Sequence, residues 1–176
     1  MIEAGRCVYV VVSAAPPVLN IAEFVGLLHD LRRQVCLIAT PTAASWIDLD
    51  QLGASTGCLV RTRPRLPREA DSLPEADAVV VAPATFNTIN KWAAGINDTT
   101  ALGVLNELLG VGVPITVVPC VKASLRKHPA YAGSVERLSG AGAVFLDPHS
   151  VASRGDDGLA AFDWPEVLRL SMPSPP

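Results

Sequence analysis

The sequence is short of charge. Charged side chains make up 18% of its 176 residues and the net charge is −3, so it lacks the basic excess with which proteins cover a nucleic-acid backbone. It has no run of about twenty apolar residues, the length a membrane-spanning helix needs. GxxxxGK[ST] is absent, which removes a P-loop, and GxGxxG is absent, which weakens the case for a dinucleotide. The three histidines (His29, His128, His149) fall in no HExxH-like pattern. The four cysteines (Cys7, Cys36, Cys58, Cys120) fall in no CxxC spacing. No zinc centre is expected, and the cysteines are expected to be reduced core residues. No signal peptide precedes the first apolar run, since Met1-Ile2-Glu3-Ala4 leads directly toward it. The expectation is a soluble, cytoplasmic protein that binds neither nucleic acid nor membrane.

What is present is apolar. Hydrophobic residues reach 49% and mean hydropathy is +0.34, enough for one domain with a full core. Unbroken β-branched runs at Cys7–Val12, Val35–Ala39, Ala78–Ala82 and Ile115–Pro119 show no alternation, so they predict strands covered on both faces. Helical spacing lies between them. Ile21, Phe24, Val25, Leu28 and Leu31 recur at three and four within Asn20–Arg33, where Asn20 and Glu23 would form a capping box. Further helices are expected over Thr42–Leu52, Asn87–Ala94 and Thr99–Leu109. Short strands are expected at Cys58–Val60 and Ala143–Leu146. Strands alternating with helices give an α/β fold, a parallel sheet with helices on both faces. The expected domain is 1–150. Residues 151–176 form a tail of little periodicity, ending in Pro173-Ser174-Pro175-Pro176, whose end is expected to be mobile.

Ligands of such sheets bind at the carboxyl ends of the strands, where strand order reverses. That rule selects four loops: 13–20, 40–44, 83–90 and 119–127. Ser13-Ala14-Ala15-Pro16-Pro17 is either a plain strand-to-helix turn or a small-residue approach to a phosphate. Thr40-Pro41-Thr42 is either an ordinary Thr N-cap or a pair of phosphate donors. Pro83-Ala84-Thr85-Phe86-Asn87-Thr88-Ile89-Asn90-Lys91 carries more hydroxyls and amides than a turn needs. Amides that donate and accept suit the edge of a planar heterocycle. Two phosphate-like loops and one amide-rich loop suggest a mononucleotide such as FMN. Arg61, Arg63, Arg65 and Arg68, interleaved with prolines, form either a solvated extended loop or a clamp for an anionic group.

The block from Val79 to Leu109 resembles the homo-oligomeric flavin-containing cysteine decarboxylases. These include phosphopantothenoylcysteine decarboxylase and the decarboxylases of lantibiotic-type peptides. Their mark is a strand, then P-A-[ST]-A-N-T, a helix, and G-I-x-D. Here Pro83, Ala84, Thr85, Asn87 and Thr88 match, followed by Gly95-Ile96-Asn97-Asp98, while Phe86 replaces a small residue. The resemblance implies a flavodoxin-like or Rossmann-like three-layer parallel sheet, bound FMN, and homotrimers, or dodecamers of trimers, with the flavin near subunit contacts. It implies that Ser13, Ala14, Thr40 and Thr42 serve the phosphate end and that Ala84, Thr85 and Asn87 meet the flavin ring and substrate. The implied reaction oxidises a cysteine thiol unit of a carboxylate-bearing peptide or small molecule, which then loses CO₂.

Two departures qualify that expectation. The family's histidine ahead of the strand is absent from Arg65–Glu75, where Glu69 or Asp71 falls nearest. The P-x-M-N-x-x-M-W substrate motif reads Pro119-Cys120-Val121-Lys122-Ala123-Ser124-Leu125-Arg126. Lys122 would then attract a carboxylate as a point charge, and His128 is the candidate titratable group. Cys120, beside Lys122, is either an inert core thiol or an activated one. Trp46 and Trp92 are expected on helices, in core or subunit contacts. The alternative function is a non-catalytic, oligomeric flavin-binding or regulatory subunit. A flavin prenyltransferase ranks last, since its Arg-rich phosphate motifs are not evident.

Overall fold

The structure, a computed structural model, describes residues 6–69 and 73–172. Six strands form one parallel sheet in the order β3-β2-β1-β4-β5-β6. They are β1 (Cys7–Val12), β2 (Gln34–Ala39), β3 (Leu59–Arg61), β4 (Ala78–Ala84), β5 (Ile115–Pro119) and β6 (Val144–Phe145). Without the short edge strand β3 this is the flavodoxin-like order 2-1-3-4-5. With it, the order is that of the dinucleotide folds. Either way the order reverses between β1 and β4, and loops leaving these neighbours part to opposite faces of the sheet.

The helices are α1 (Ile21–Asp30), α2 (Pro41–Ala44), α3 (Leu49–Thr56), α4 (Phe86–Ala93), α5 (Thr100–Val111), α6 (Ala123–Arg126), α7 (Pro129–Gly140), α8 (Pro148–Val151) and α9 (Trp164–Ser171). The unbroken apolar strands now have their reason. Val8, Val10 and Val12 of β1 face one core, shared with Phe24 of α1 and Val167 of α9. Cys7, Tyr9 and Val11 face the other, shared with Ile89 and Trp92 of α4 and Leu105 of α5. Both faces are covered, so period-two alternation has no solvent to respond to.

The elements differ from expectation in several places. Helix α1 starts at Ile21, because Pro16–Asn20 forms a 3₁₀ turn first. Asn20 occupies the cap position but makes no side-chain cap bond, so no capping box forms. Thr42–Leu52 is two helices. Asp48 opens the second by accepting from Gln51 N at 2.9 Å. Trp46 lies in the turn between them and is 46% exposed, neither helical nor core. Strand β4 runs on to Ala84, which pairs with Pro119, so the quoted polar stretch is strand, one linking residue, then helix. Helix α7 was not anticipated.

The segment after Asp147, of little periodicity, is folded. Strands β7 (Ala152–Arg154) and β8 (Ala160–Phe162) form an antiparallel hairpin. Helix α9 then lays Trp164 against Phe24, ring centroids 5.2 Å apart, and Phe162 meets Trp164 edge-on at 5.3 Å. Val151, Phe162, Trp164 and Val167 belong to the same core as β1, so no gap marks residue 150. Pro173–Pro176 lie outside the described residues.

Candidate functional site

The β1/β4 reversal is held together by Ser13. Its backbone N–H donates to Pro83 O at 3.0 Å, joining the two strand ends. Its hydroxyl donates to Thr88 Oγ1 at 2.9 Å. With both groups engaged, Ser13 is 1% exposed and lines neither of the cavities at this edge. Thr85 is the N-cap of α4: its oxygen accepts from Thr88 N and its hydroxyl donates to Thr88 Oγ1 at 3.2 Å. Two of the hydroxyls in the polar stretch are therefore structural struts. Asn87, by contrast, is exposed and projects from the first turn of α4 into the space between the loops.

That space is two cavities sharing Ala14, Thr85 and Asn87 as a common wall. The smaller, about 380 Å³, is edged by Thr40, Thr42, Thr88 and Thr99, with Lys91. The larger, about 830 Å³, has apolar walls that include Trp46, Phe86, Val121 and Leu159. Lys122, Arg126, His149 and Arg154 also line it, and no carboxylate does among the described residues. Both volumes fall in the range of small-molecule and cofactor sites.

Of the anticipated residues, Ala14, Thr85 and Asn87 stand on the shared wall and Lys122 lines the larger cavity. Thr40 and Thr42 edge the smaller, with Thr40 also capping α2 by accepting from Ala43 N. Ala84 does not reach either. It is fully buried in β4, and its carbonyl accepts from Cys120 N at 2.8 Å. Glu69 lines a separate cavity of about 420 Å³ with Arg61, Arg63 and Arg65. Its carboxylate accepts from Leu66 N at 3.0 Å and lies 3.7 Å from Arg63. Asp71 is outside the described residues. His128 is exposed and is the N-cap of α7, its Nδ1 accepting from Ala130 N at 3.1 Å. Its ring stands edge-on to Phe86 at 5.6 Å and lines neither cavity. The chain thus brings Lys122 to this edge without Glu69 or His128.

Phe86, the bulky substitution, packs against Tyr131 of α7 at 6.4 Å as well as His128, and its other side is cavity wall. Burial pushes the Tyr131 phenol up, partly offset by the Arg126 charge. Burial also pushes up the Cys120 thiol, which lines the larger cavity; that is the inert form of the two considered. Far from this edge, Cys7 and Cys36 meet at 3.5 Å between β1 and β2. Hydrogen bonding with Cys7, together with burial, holds the Cys36 proton far above the ordinary thiol range. Sequence reasoning missed Lys91, Trp46, His149 and Arg154 at the cavities. Lys91 follows Asn87 by four residues, one helical turn, and that spacing was the available signal. The hairpin residues gave none. Among the described residues no cluster of three His, Cys, Asp or Glu could hold a metal, and no helix is long and apolar enough to cross a membrane.

Comparison with known proteins matches the profile named Flavoprotein to residues 3–172. The chain is 26% identical over 175 residues, 95% of its length, to the coenzyme A biosynthesis bifunctional protein CoaBC of Bacillus subtilis (strain 168), covering 42% of that protein. The chain spans about two fifths or less of the first curated relatives it matches, 18% in the shortest of these overlaps. Among solved structures it resembles the peptidyl-cysteine decarboxylase EpiD, with TM-score 0.70, 19% identity, and coverage of 96% of this chain and 99% of that one. It resembles a PPC decarboxylase complexed with pantothenoylaminoethenethiol at TM-score 0.70 and 16% identity, covering 90% of this chain and 89% of that one. At these identities the structures share the fold.

Proposed function

The chain belongs to the Flavoprotein family, and from that premise we propose that it binds FMN across the two cavities at the β1/β4 reversal and acts on a carboxylate-bearing thiol substrate. Membership supports a flavin cofactor; FMN is the form the site favours. The observation that carries the reading is the pairing of a hydroxyl-lined cleft with an apolar chamber, joined at Ala14, Thr85 and Asn87. The donor set fits the group: hydroxyls for a phosphate, an amide at the shared wall for a ring edge, and apolar walls for a planar ring and its substrate.

When bound, FMN would supply the two-electron oxidation of a cysteine thiol unit that makes loss of CO₂ easy. The protein's part is position and charge. Lys122 attracts the substrate carboxylate, and Arg126 and Arg154 add to the positive potential of a chamber without lining acids. Trp46, Phe86 and Leu159 exclude water from the apolar body of the substrate. Proton transfer needs a group within reach. In this chain His149 lines the chamber while Glu69 and His128 do not, so His149 is the group we assign to that role. The chain assembles as a homotrimer, or a dodecamer of trimers.

Purified protein reconstituted with FMN gives the test. An oxidised-flavin absorbance spectrum, and loss of CO₂ mass from a cysteine-ended peptide or phosphopantothenoylcysteine, are the expected results. A protein that stays colourless with added FMN refutes the reading. Flavin uptake without decarboxylation of either substrate supports the second reading, a non-catalytic flavin-binding subunit. That reading is favoured by the separation of Glu69 from the chamber.

A further inference from the structure

We propose that Lys91 reads the cofactor's phosphate, so that the smaller cleft selects FMN over riboflavin. The inference rests on the flavin reading above and adds a residue to it. Lys91 is the one charged side chain lining that cleft among the described residues. Six of its nine neighbours there carry a hydroxyl or an amide. Thr40 and Thr99 each cap a helix, with the oxygen accepting a backbone N–H, from Ala43 and Leu102 respectively. A hydroxyl whose oxygen is so occupied still has its own hydrogen to give. Thr42, exposed at the rim, and the Asn87 amide add further donors. A cleft rich in donors and without a lining carboxylate is matched by a group that only accepts, and a phosphate carries several such oxygens.

The fold holds Lys91 in position. It lies one turn after Asn87 on α4, so the two project from the same helix face. Its ammonium also contacts Asp98 Oδ2 at 2.5 Å. Asp98 does not line the cleft, and its contact takes one ammonium hydrogen of Lys91 and leaves two of the three for a ligand. Thr99, the N-cap of the longer helix α5, lines the same cleft, and the N-terminal N–H groups of that helix add to the positive potential there. Ser13, the hydroxyl that sequence reasoning placed at the phosphate, is spent on Thr88. Lys91 takes over the charge that the Ser and Thr residues cannot supply. Asp98 is a positioning residue.

The test is the dissociation constant of FMN and of riboflavin, each read by flavin fluorescence, for the wild type, Lys91→Met, Lys91→Arg and Asp98→Asn. Lys91→Met should weaken FMN about 10- to 100-fold, the scale of one charge-assisted hydrogen bond, and leave riboflavin unchanged. Lys91→Arg should recover most of the FMN affinity. Asp98→Asn should lose less than Lys91→Met. Salt should weaken FMN binding to the wild type more steeply than to Lys91→Met. An unchanged ratio of FMN to riboflavin affinity in Lys91→Met overturns the proposal. So does an equal loss of both flavins, which would mark a structural role. A wild type that binds neither flavin overturns the flavin reading and this inference with it, whereas FMN and riboflavin binding equally to the wild type overturns this inference alone.

Discussion

Replacing Ser13 by Ala separates two roles that a serine at a strand end can have. In the structure its hydroxyl bridges to Thr88 Oγ1 at 2.9 Å in a buried setting. Removing it deletes one buried hydrogen bond. Thr88 Oγ1 keeps the Thr85 hydroxyl as a partner at 3.2 Å, so no oxygen is stranded and the cost is at the low end, about 1 kcal/mol. Thr88→Val is worse. It leaves the Ser13 hydroxyl buried without its acceptor, a loss of about 1–3 kcal/mol. In the double variant neither group is left without its partner, so the combined cost falls short of the sum by about 0.5–1.5 kcal/mol, a coupling typical of contacting pairs. Urea unfolding of the four proteins measures that coupling. FMN affinity should change less than threefold in Ser13→Ala, since Ser13 lines neither cavity; that bound is roughly half a decade, about 0.7 kcal/mol. Additive stabilities, or a tenfold loss of FMN affinity with unchanged stability, would refute the strut and return Ser13 to the phosphate.

Trp164→Ala empties a site that is 1% exposed between Phe24 and Phe162. A loss of about 3–5 kcal/mol is expected, read as a fall in Tm of roughly 6–20 °C by calorimetry. Lys122→Gln should raise the KM for a carboxylate-bearing substrate about tenfold, one good charge contact, and leave FMN affinity unchanged in fluorescence titration. Stability should fall under alkali. Folding raises the Cys120 thiol above its ordinary 9.0 and the Tyr131 phenol above 10.0. The unfolded chain therefore releases these protons first, and the stability they contribute is complete below about pH 9 and lost as pH rises through the folded values. Tm measured from pH 7 to 11 should decline over that window, and less steeply in Cys120→Ser.

The sheet was legible because burial on both faces leaves a plain signature, the unbroken runs of Val and Ile in β1, β4 and β5. The end of β4 was not, because Ala84 joins the ladder only through Pro119, and pairing across strands has no local mark. Helix α7 did carry one. Tyr131, Val135 and Leu138 are spaced at four and three behind Pro129, a good first-turn residue. The hairpin sequence Ala152-Ser153-Arg154 has no apolar alternation, since all three residues are exposed. For the site, residue types at strand ends pointed to the edge where the two cavities lie, and Ala14, Thr85, Asn87 and Lys122 line them. What failed was accessibility. Whether a serine touches ligand or scaffold depended on a threonine 75 residues away. Nearness of Glu69 in sequence to a missing histidine likewise did not set which cavity it lines.

The hairpin of β7 and β8 behaves as a replaceable insert. Its roots, Val151 and Phe162, are both buried in the main core, and Asp163 N donates to Val151 O at 2.8 Å, closing the neck below the β7–β8 ladder. The strands above that neck form one side of the larger chamber. Once a neck is closed, lengthening the loop beyond it costs only about 0.6 kcal/mol per doubling. Ancestors and engineers alike could therefore exchange residues 152–161 for a shorter or longer piece. The sheet would not register the exchange, and the chamber would be resized for a different molecule.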